Sequence, residues 1–431
     1  MVSRRSFLHT SSLGAALAAT GMTGDAVAQP SAGAAAALPP SIAALTSMKA
    51  LARPISADER RARIDKAKRL MAAQKIDALM LTGGTSLVYF TNIRWGLSER
   101  LFSVVIPVKG TPFLVTPAFE EDRAREQLVG GPLADTDVRT WKEHESPYER
   151  IAQALRDRGI ASGRVGVEET VRHVFSDGVA TAAPTLATVS GTPVTAGCRM
   201  VKDAHELELM RLASAVTLKA YAAAHAALRE GMTQSDFARL VAQAHQQLGF
   251  QGGAGVQVGE YSALPHGSIA PQVIREGTIL LIDGGCSVEG YASDISRTFV
   301  LGKATDRMKQ VFDIELRAQT AALKAARPGV PCEAVDAAAR KVIVDAGFGP
   351  DYKYFTHRVG HGMGMDGHEW PYLVKGNTLP LAPGMVFSDE PGIYITGEFG
   401  VRLEDDMYIT ETGAELMTPQ SRSLENPFAT S

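Results

Sequence analysis

The chain has 431 residues, with 44 Lys and Arg against 47 Asp and Glu, a formal net charge of −3, and 45% hydrophobic residues. That length is enough for two domains with proper cores, and the near-neutral charge removes any electrostatic argument for nucleic-acid binding. Three cysteines, Cys198, Cys286 and Cys332, cannot all pair within one chain and share no metal-type spacing, so no structural disulfide is expected.

Residues 1–28 read as a twin-arginine export signal: Ser3-Arg4-Arg5-Ser6-Phe7-Leu8, a small and apolar stretch from Leu13 to Ala19, then Ala26-Val27-Ala28 ahead of Gln29 as a small-residue cleavage site. The apolar run is too short for a permanent anchor. The expectation is a periplasmic or secreted protein with no stable membrane anchor. Residues 29–54, rich in Ala, Pro and Ser, read as a flexible leader.

From 55 to 198 the pattern alternates between helix and strand. Ala57 to Gln74 is helical and charged, Ile76 to Leu81 an apolar strand, Phe102 to Pro107 and Pro112 to Val115 further strands, Ser146 to Arg158 helical, and Arg164 to Val167 a strand. This is an α/β layer domain. It carries no metal-type cluster, so chemistry is not expected there. Trp95 stands out in an otherwise polar loop.

Residues 199–425 form a second domain, and here an internal repeat emerges. Gly231 to Phe250 and Gly329 to Phe348 share one frame: each opens on Gly, runs a helix of similar length and closes on Gly-Phe, where Gly is a natural helix stop. A longer amphipathic helix precedes each, about Glu206 to Arg229 and about Thr305 to Arg327. Each is followed by a His-Gly pair, at His266 and His361, and later by a pair of carboxylates. The doubling predicts an α+β domain with pseudo-twofold symmetry and its site on the internal axis.

The carboxylate pairs carry the chemistry. Asp283 and Asp294 flank Glu289-Gly290 between two β-branched runs, which read as the strands of a tight hairpin. Opposed side chains there sit about 5 Å apart at Cβ, where like charges repel, so a positive charge is expected between them. Cys286 should point to the other face of that strand as small buried filler. Downstream, Glu390 and Glu404 are placed symmetrically about Gly397, the centre of a second hairpin. Four carboxylates with the His361 imidazole make an oxygen-rich set suited to two divalent ions, Mn²⁺, Co²⁺ or Zn²⁺, and an activated water. Arg402, two residues before Glu404 and on the same strand face, would support a metal ligand or anchor a substrate carboxylate.

Asp283 with Asp294, His357-Arg-Val-Gly-His361-Gly-Met-Gly364, His368-Glu369, Glu390-Pro-Gly-Ile-Tyr394 and Arg402-Leu-Glu404 together resemble the creatinase/prolidase/aminopeptidase P family. The resemblance runs over roughly residues 55 to 425. It implies a creatinase-like N-terminal domain, a pita-bread catalytic domain, and cleavage of Xaa-Pro bonds in peptides or dipeptides by a dinuclear centre, with Mn²⁺ preferred. It further implies Asp283, Asp294, His361, Glu390 and Glu404 as ligands, Glu390 as proton shuttle, and His266 and His368 beside the substrate carbonyl. His357 becomes a site-wall or substrate-contacting residue. A homodimer is implied as well, in which Trp95 could close over the partner's site. Two other readings compete: a metal-using hydrolase or lyase of small nitrogen compounds on the same fold, and a non-catalytic peptide-binding module, which the intact ligand set argues against.

Overall fold

The computed structural model describes residues 37–428. The export-signal reading of residues 1–28 and the start of the leader lie outside them. Within the described part, the leader is not free. Ile42 is fully buried, Ser41 Oγ donates to the Ala223 carbonyl at 2.8 Å, the Met48 amide donates to Leu248 O at 2.9 Å, and Arg53 O meets His205 Nε2 at 2.9 Å. The flexible reading is corrected for this stretch: its small-residue composition conceals one large apolar anchor and several backbone contacts to the second domain.

The first domain is built on a six-stranded sheet in the order Asp137–Trp141, Phe113–Pro117, Ser103–Pro107, Ala78–Leu81, Gly163–Val167, Leu186–Ser190. Alternation divides its side chains between two cores. Leu79, Leu81, Val104, Ile106 and Leu114 meet the helices Ala57–Gln74 and Thr192–Arg199, while Ala78, Met80, Val105, Phe113 and Val115 meet Pro147–Arg156 and His173–Ala182. Burial on both faces explains why these strands read as short apolar runs. The helix Ala57–Gln74 starts where expected because Ser56 and Glu59 form a reciprocal capping box, and it ends at Lys75 in the left-handed region, φ 55°.

The second domain repeats one unit. Helices Ala204–Ala226 and Gln234–Gln247 pack together, and strand Gly252–Val258 then pairs antiparallel with Ile279–Val288, which pairs in turn with Ile295–Val300. In the second copy, helices Asp306–Ala325 and Cys332–Asp345 precede strand Gly360–Gly362, which pairs with Val386–Asp389, itself paired with Asp405–Ile409. The two histidines of the repeat are not equivalent in this frame. His361 lies within the strand that matches Gly252–Val258, whereas His266 lies in the loop after it, so similar sequence offsets land in different elements. Capping boxes at Asp203/Glu206 and Thr233/Asp236 fix the starts of the first helix pair. All three cysteines are free and buried, and Cys286 faces away from Asp283, its Sγ 3.4 Å from the Ala213 carbonyl.

Candidate metal centre

In the first hairpin, Glu289 and Gly290 both have positive φ, 51° and 91°, between the paired residues Val288 and Tyr291. That is the twist a two-residue hairpin turn needs. Asp283 is therefore opposite Ser296, and Asp294 is its diagonal neighbour two residues along, not its direct partner. The expectation of directly opposed aspartates is corrected, because the turn at Glu289 and Gly290 centres the hairpin one residue beyond the midpoint of 283 and 294. Both aspartates nevertheless stay on one face, because the offset is even.

The second hairpin keeps one register throughout its length. Val386 pairs with Tyr408, Asp389 with Asp405, Gly392 with Arg402 and Ile395 with Phe399. Glu390 and Glu404 fall opposite each other at the one place where the ladder opens. Their backbone amides turn elsewhere instead, Glu390 N–H to Val359 O at 2.8 Å and Glu404 N–H to Ser296 O at 3.2 Å. The interruption ties the second hairpin to the first and to the His361 strand. Close strand approach requires glycine at Gly285 and Gly360, where a Cβ would lie 1.9 Å from Ser293 O and 2.0 Å from Ser388 O.

His361 is buried, with Nδ1 3.2 Å from Gly362 O. A proton on Nδ1 leaves the Nε2 lone pair directed at the acids, 3.2 Å from Glu390 Oε1 and 4.0 Å from Asp294 Oδ2. Of the three groups whose ligand atoms lie mutually within 4.8 Å, one joins Asp294 and His361 to His368, and two consist of the expected ligands alone: Asp283, Asp294, Glu404 and His361, Glu390, Glu404. Glu404 belongs to both. A carboxylate common to two adjacent triads is the arrangement that a pair of bridged ions needs, and the hard oxygen donors with one imidazole fit divalent cations. The expected ligands thus converge on a dinuclear candidate site.

Charge in the cavity supports the same fit. Burial and the neighbouring Asp283 carboxylate push Asp294 up to about 7, and burial with Asp294, Glu390 and Asp283 pushes Glu404 well above the usual carboxylate range. Glu390 goes the other way: burial alone would raise it, but the His361 hydrogen bond and the positive charge of His357, His361 and Arg402 hold it at about 2. His361 is raised, Glu390 and Asp294 outweighing its desolvation. The site carries more negative charge than its own cations offset.

All of the expected residues except Trp95 line one cavity of about 170 Å³, which His266, His357, His368 and Arg402 share with the four acids and the His361 imidazole. His368 stacks on His361, ring centroids 3.6 Å apart at 16°. Each Arg402 nitrogen is committed to protein: Nε to Ser296 Oγ at 2.9 Å, Nη1 to Pro265 O and Tyr394 Oη at 3.0 Å each, Nη2 to Asp283 at 2.7 Å. Of the two roles open in the sequence, this geometry is that of support for Asp283. His357 is similarly engaged, Nδ1 with Arg358 O at 2.8 Å and Nε2 with Tyr394 Oη at 2.7 Å, which makes it wall rather than an open substrate donor. Trp95 does not reach this cavity; it stacks on Phe102 at 4.0 Å and 12°, beneath the Arg123 guanidinium.

Three contributors escaped the sequence reading. Ser296 donates to Asp283 Oδ1 at 2.9 Å or Glu404 Oε2 at 2.6 Å; its place two residues after Asp294, on the same strand face, was the available signal. Tyr394 joins His357 to Arg402. Arg358 lines the cavity with its guanidinium 4.3 Å over the Tyr372 ring and no carboxylate partner among the described residues.

Known proteins agree with this construction. Residues 208–411 match the metallopeptidase family M24 and residues 63–201 the creatinase/prolidase N-terminal domain. A probable dipeptidase PepE of Mycobacterium tuberculosis is 37% identical over 355 residues, covering 80% of this chain and 92% of the relative. An Xaa-Pro dipeptidase of Lactobacillus delbrueckii subsp. lactis is 33% identical over 372 residues, covering 84% and 98%. The crystal structure of dipeptidase PepE from Mycobacterium ulcerans superposes with a TM-score of 0.80 at 34% identity, covering 87% of this chain and 99% of the other. With the two-domain architecture, the pita-bread repeat and the paired ligand triads already in place, the chain belongs to the M24 metallopeptidases that carry a creatinase/prolidase N-terminal domain.

Proposed function

We propose that this metallopeptidase hydrolyses Xaa-Pro bonds, in dipeptides ahead of longer peptides, with two Mn²⁺ ions held by Asp283, Asp294, His361, Glu390 and Glu404. The observation that carries it is Glu404 standing in both ligand triads. When bound, the ions supply Lewis acidity that lowers the pKa of a water and polarises a carbonyl. Mn²⁺ is preferred to Co²⁺ or Zn²⁺ because the donors are mainly oxygen.

The chain's own residues supply the rest. Glu390, ionised beside His361 and facing the cavity, takes the proton of the attacking water and returns it to the proline nitrogen, a tertiary amide nitrogen that must gain a hydrogen to leave. His368 is held below the ordinary histidine range by burial and by His361, so it is neutral near pH 7; with His266 it donates to the substrate carbonyl as negative charge develops there. Arg402 and Ser296 fix Asp283 and Glu404. Arg358, which has no acid partner among the described residues, faces the carboxylate of a dipeptide substrate, which favours dipeptidase over aminopeptidase action.

The proposal extends to place and assembly. Residues 1–28 export the folded enzyme to the periplasm or beyond, and no helix among the described residues is long and apolar enough to cross a membrane. The working form is a homodimer in which the first domain, with Trp95 at its edge, covers the partner's cavity. The test is incubation of metal-loaded protein with Ala-Pro and with a longer Xaa-Pro peptide, following release of the N-terminal residue. Cleavage of Ala-Pro alone is expected; cleavage of the longer peptide makes it an aminopeptidase, and cleavage of neither refutes the reading.

A further inference from the structure

A second cavity, about 480 Å³, lies beside the first and shares His368 as a wall. Its other walls come from the first domain, at the carboxyl ends of three mutually parallel strands: Gly83 to Ser86 after Ala78–Leu81, Glu168 and Glu169 after Gly163–Val167, and Thr192 to Arg199 after Leu186–Ser190. Crevices at that end of an open α/β sheet are where such sheets receive ligands. The second domain closes the cavity with the segment from Asp366 to Trp370.

Four carboxylates and one guanidinium line it. Two of the acids are balanced: Arg199 pairs with Asp366 and with Glu369, and Lys202 reaches Glu369 at 2.7 Å. Glu168 and Glu169 are not. Glu168, only 9% exposed, uses one carboxylate oxygen to accept from Ser86 Oγ at 2.6 Å, and its other oxygen has no hydrogen-bond partner among the described residues. Glu169 accepts only the Trp370 indole N–H, at 3.1 Å. Neither forms an ion pair among the described residues. The one guanidinium of the cavity, Arg199, is already paired with Asp366 and Glu369, and a nearly buried carboxylate left without an ion-pair partner is costly unless a cation enters.

We propose that this cavity is the subsite for the side chain of the residue on the amino side of the scissile bond, and that it selects a long cationic side chain, lysine or arginine. The inference rests on the Xaa-Pro reading. If His368 holds the scissile carbonyl, the α-carbon bonded to that carbonyl lies beside the shared wall, and its side chain enters the second cavity. The proline on the other side of the bond has only its ring and cannot fill such a volume. Hydroxyls of Thr85, Ser86 and Thr195 accompany the aliphatic stem, and Glu168 and Glu169 receive the charge.

The test compares kcat/KM for Lys-Pro, Met-Pro and Glu-Pro in the metal-loaded enzyme and in Glu168→Gln and Glu169→Gln. Lys-Pro is expected to exceed Met-Pro by about tenfold, the effect of one ion pair of ~1.4 kcal/mol, with Glu-Pro poorest; each variant moves the Lys-Pro to Met-Pro ratio toward one. Glu169 is exposed, so its variant keeps the test alive if Glu168→Gln fails to fold. A wild-type ratio near one, or a ratio that neither variant changes, overturns the subsite. Should no Xaa-Pro dipeptide be cleaved, the peptidase reading fails separately, and calorimetric binding of lysine amide against norleucine amide decides the cavity: a preference for lysine amide that both variants weaken upholds it, and equal binding overturns it.

Discussion

Ser296→Ala isolates how much of the metal affinity is built outside the ligands. The hydroxyl is fully buried and has three neighbours: Asp283 Oδ1 at 2.9 Å, Glu404 Oε2 at 2.6 Å and the Arg402 Nε–H that it accepts at 2.9 Å. Its single proton serves one carboxylate at a time, so it orients one ligand from each triad while linking both to a cation. Removal leaves all five ligands chemically intact but takes the hydroxyl from Glu404 and leaves Asp283 held by Arg402 alone. Losses of partners of this kind weaken metal binding about 10- to 100-fold, which is about 1.4–2.7 kcal/mol. The abandoned Arg402 N–H adds an unsatisfied buried donor, which costs ~1–3 kcal/mol of stability. Competition against a chelator of known affinity measures the first effect and denaturant unfolding the second. Ser287→Ala, on an exposed position of the same hairpin, is the control and should change neither. An affinity for both ions within twofold of the parent would refute the idea that Ser296 organises the two triads.

Asp294→Asn should lose metal and activity together, as read by elemental analysis and turnover; full activity with both ions bound rejects the ligand assignment. His368→Ala should retain metal but slow kcat by about 10²–10³, the effect of removing one oxyanion donor. Arg297→Met strands Asp405, whose partner Arg297 Nη2 is 2.6 Å away in a pair with no exposure on either side, and should cost ~3–5 kcal/mol in denaturant unfolding. His225, wedged edge-on between Phe299 and Phe428, has its pKa lowered by burial. Because the unfolded chain binds that proton more readily, stability is full above the ordinary histidine value of about 6.5 and declines as pH falls through it toward the folded value. His225→Phe should flatten that part of the stability profile, measured by unfolding between pH 7 and pH 5.

The ligands were legible because hairpins convert sequence symmetry into spatial opposition. Symmetry about Gly397 was enough to pair Glu390 with Glu404, and only the turn type, set by the backbone of Glu289 and Gly290, moved Asp294 from directly opposite Asp283 to the diagonal. The strands of the first domain were legible as apolar runs for a similar local reason. What the sequence concealed were contacts made across long separations by ordinary residues: Ser296 to Glu404, Tyr394 to His357 and Arg402, Ile42 under the helices of the second domain. Serine, tyrosine and a lone isoleucine carry no distinctive spacing, so their roles exist only once the two hairpins and the leader are docked. Arg402 was ambiguous for a related reason. Its strand position identified the face, but the choice between metal support and substrate contact depended on how many of its donors the fold had already taken.

Besides Glu398 in its turn, the second hairpin carries five acids on its strands, Asp389, Glu390, Glu404, Asp405 and Asp406, and strand alternation separates their fates. Asp389 and Asp405, opposite each other in register, face away from the cavity toward Gln319 and Arg297. There Arg297 pairs with Asp405, while burial and the nearby Asp405 and Glu315 push Asp389 well above the usual carboxylate range. Asp406 returns to the front, where it receives the Asp294 backbone N–H at 3.2 Å and the Ser214 hydroxyl at 2.7 Å. Glu390 and Glu404 have no comparable relief. Facing them are Asp283 and Asp294, and the one fully enclosed cation on that side, Arg402, is already bonded to Asp283. Four carboxylates against the guanidiniums of Arg402 and Arg358 leave a deficit that two divalent ions more than meet. A back layer in which Arg297 answers Asp405, set against a front layer whose carboxylates converge on one cavity, directs bound cations to that cavity.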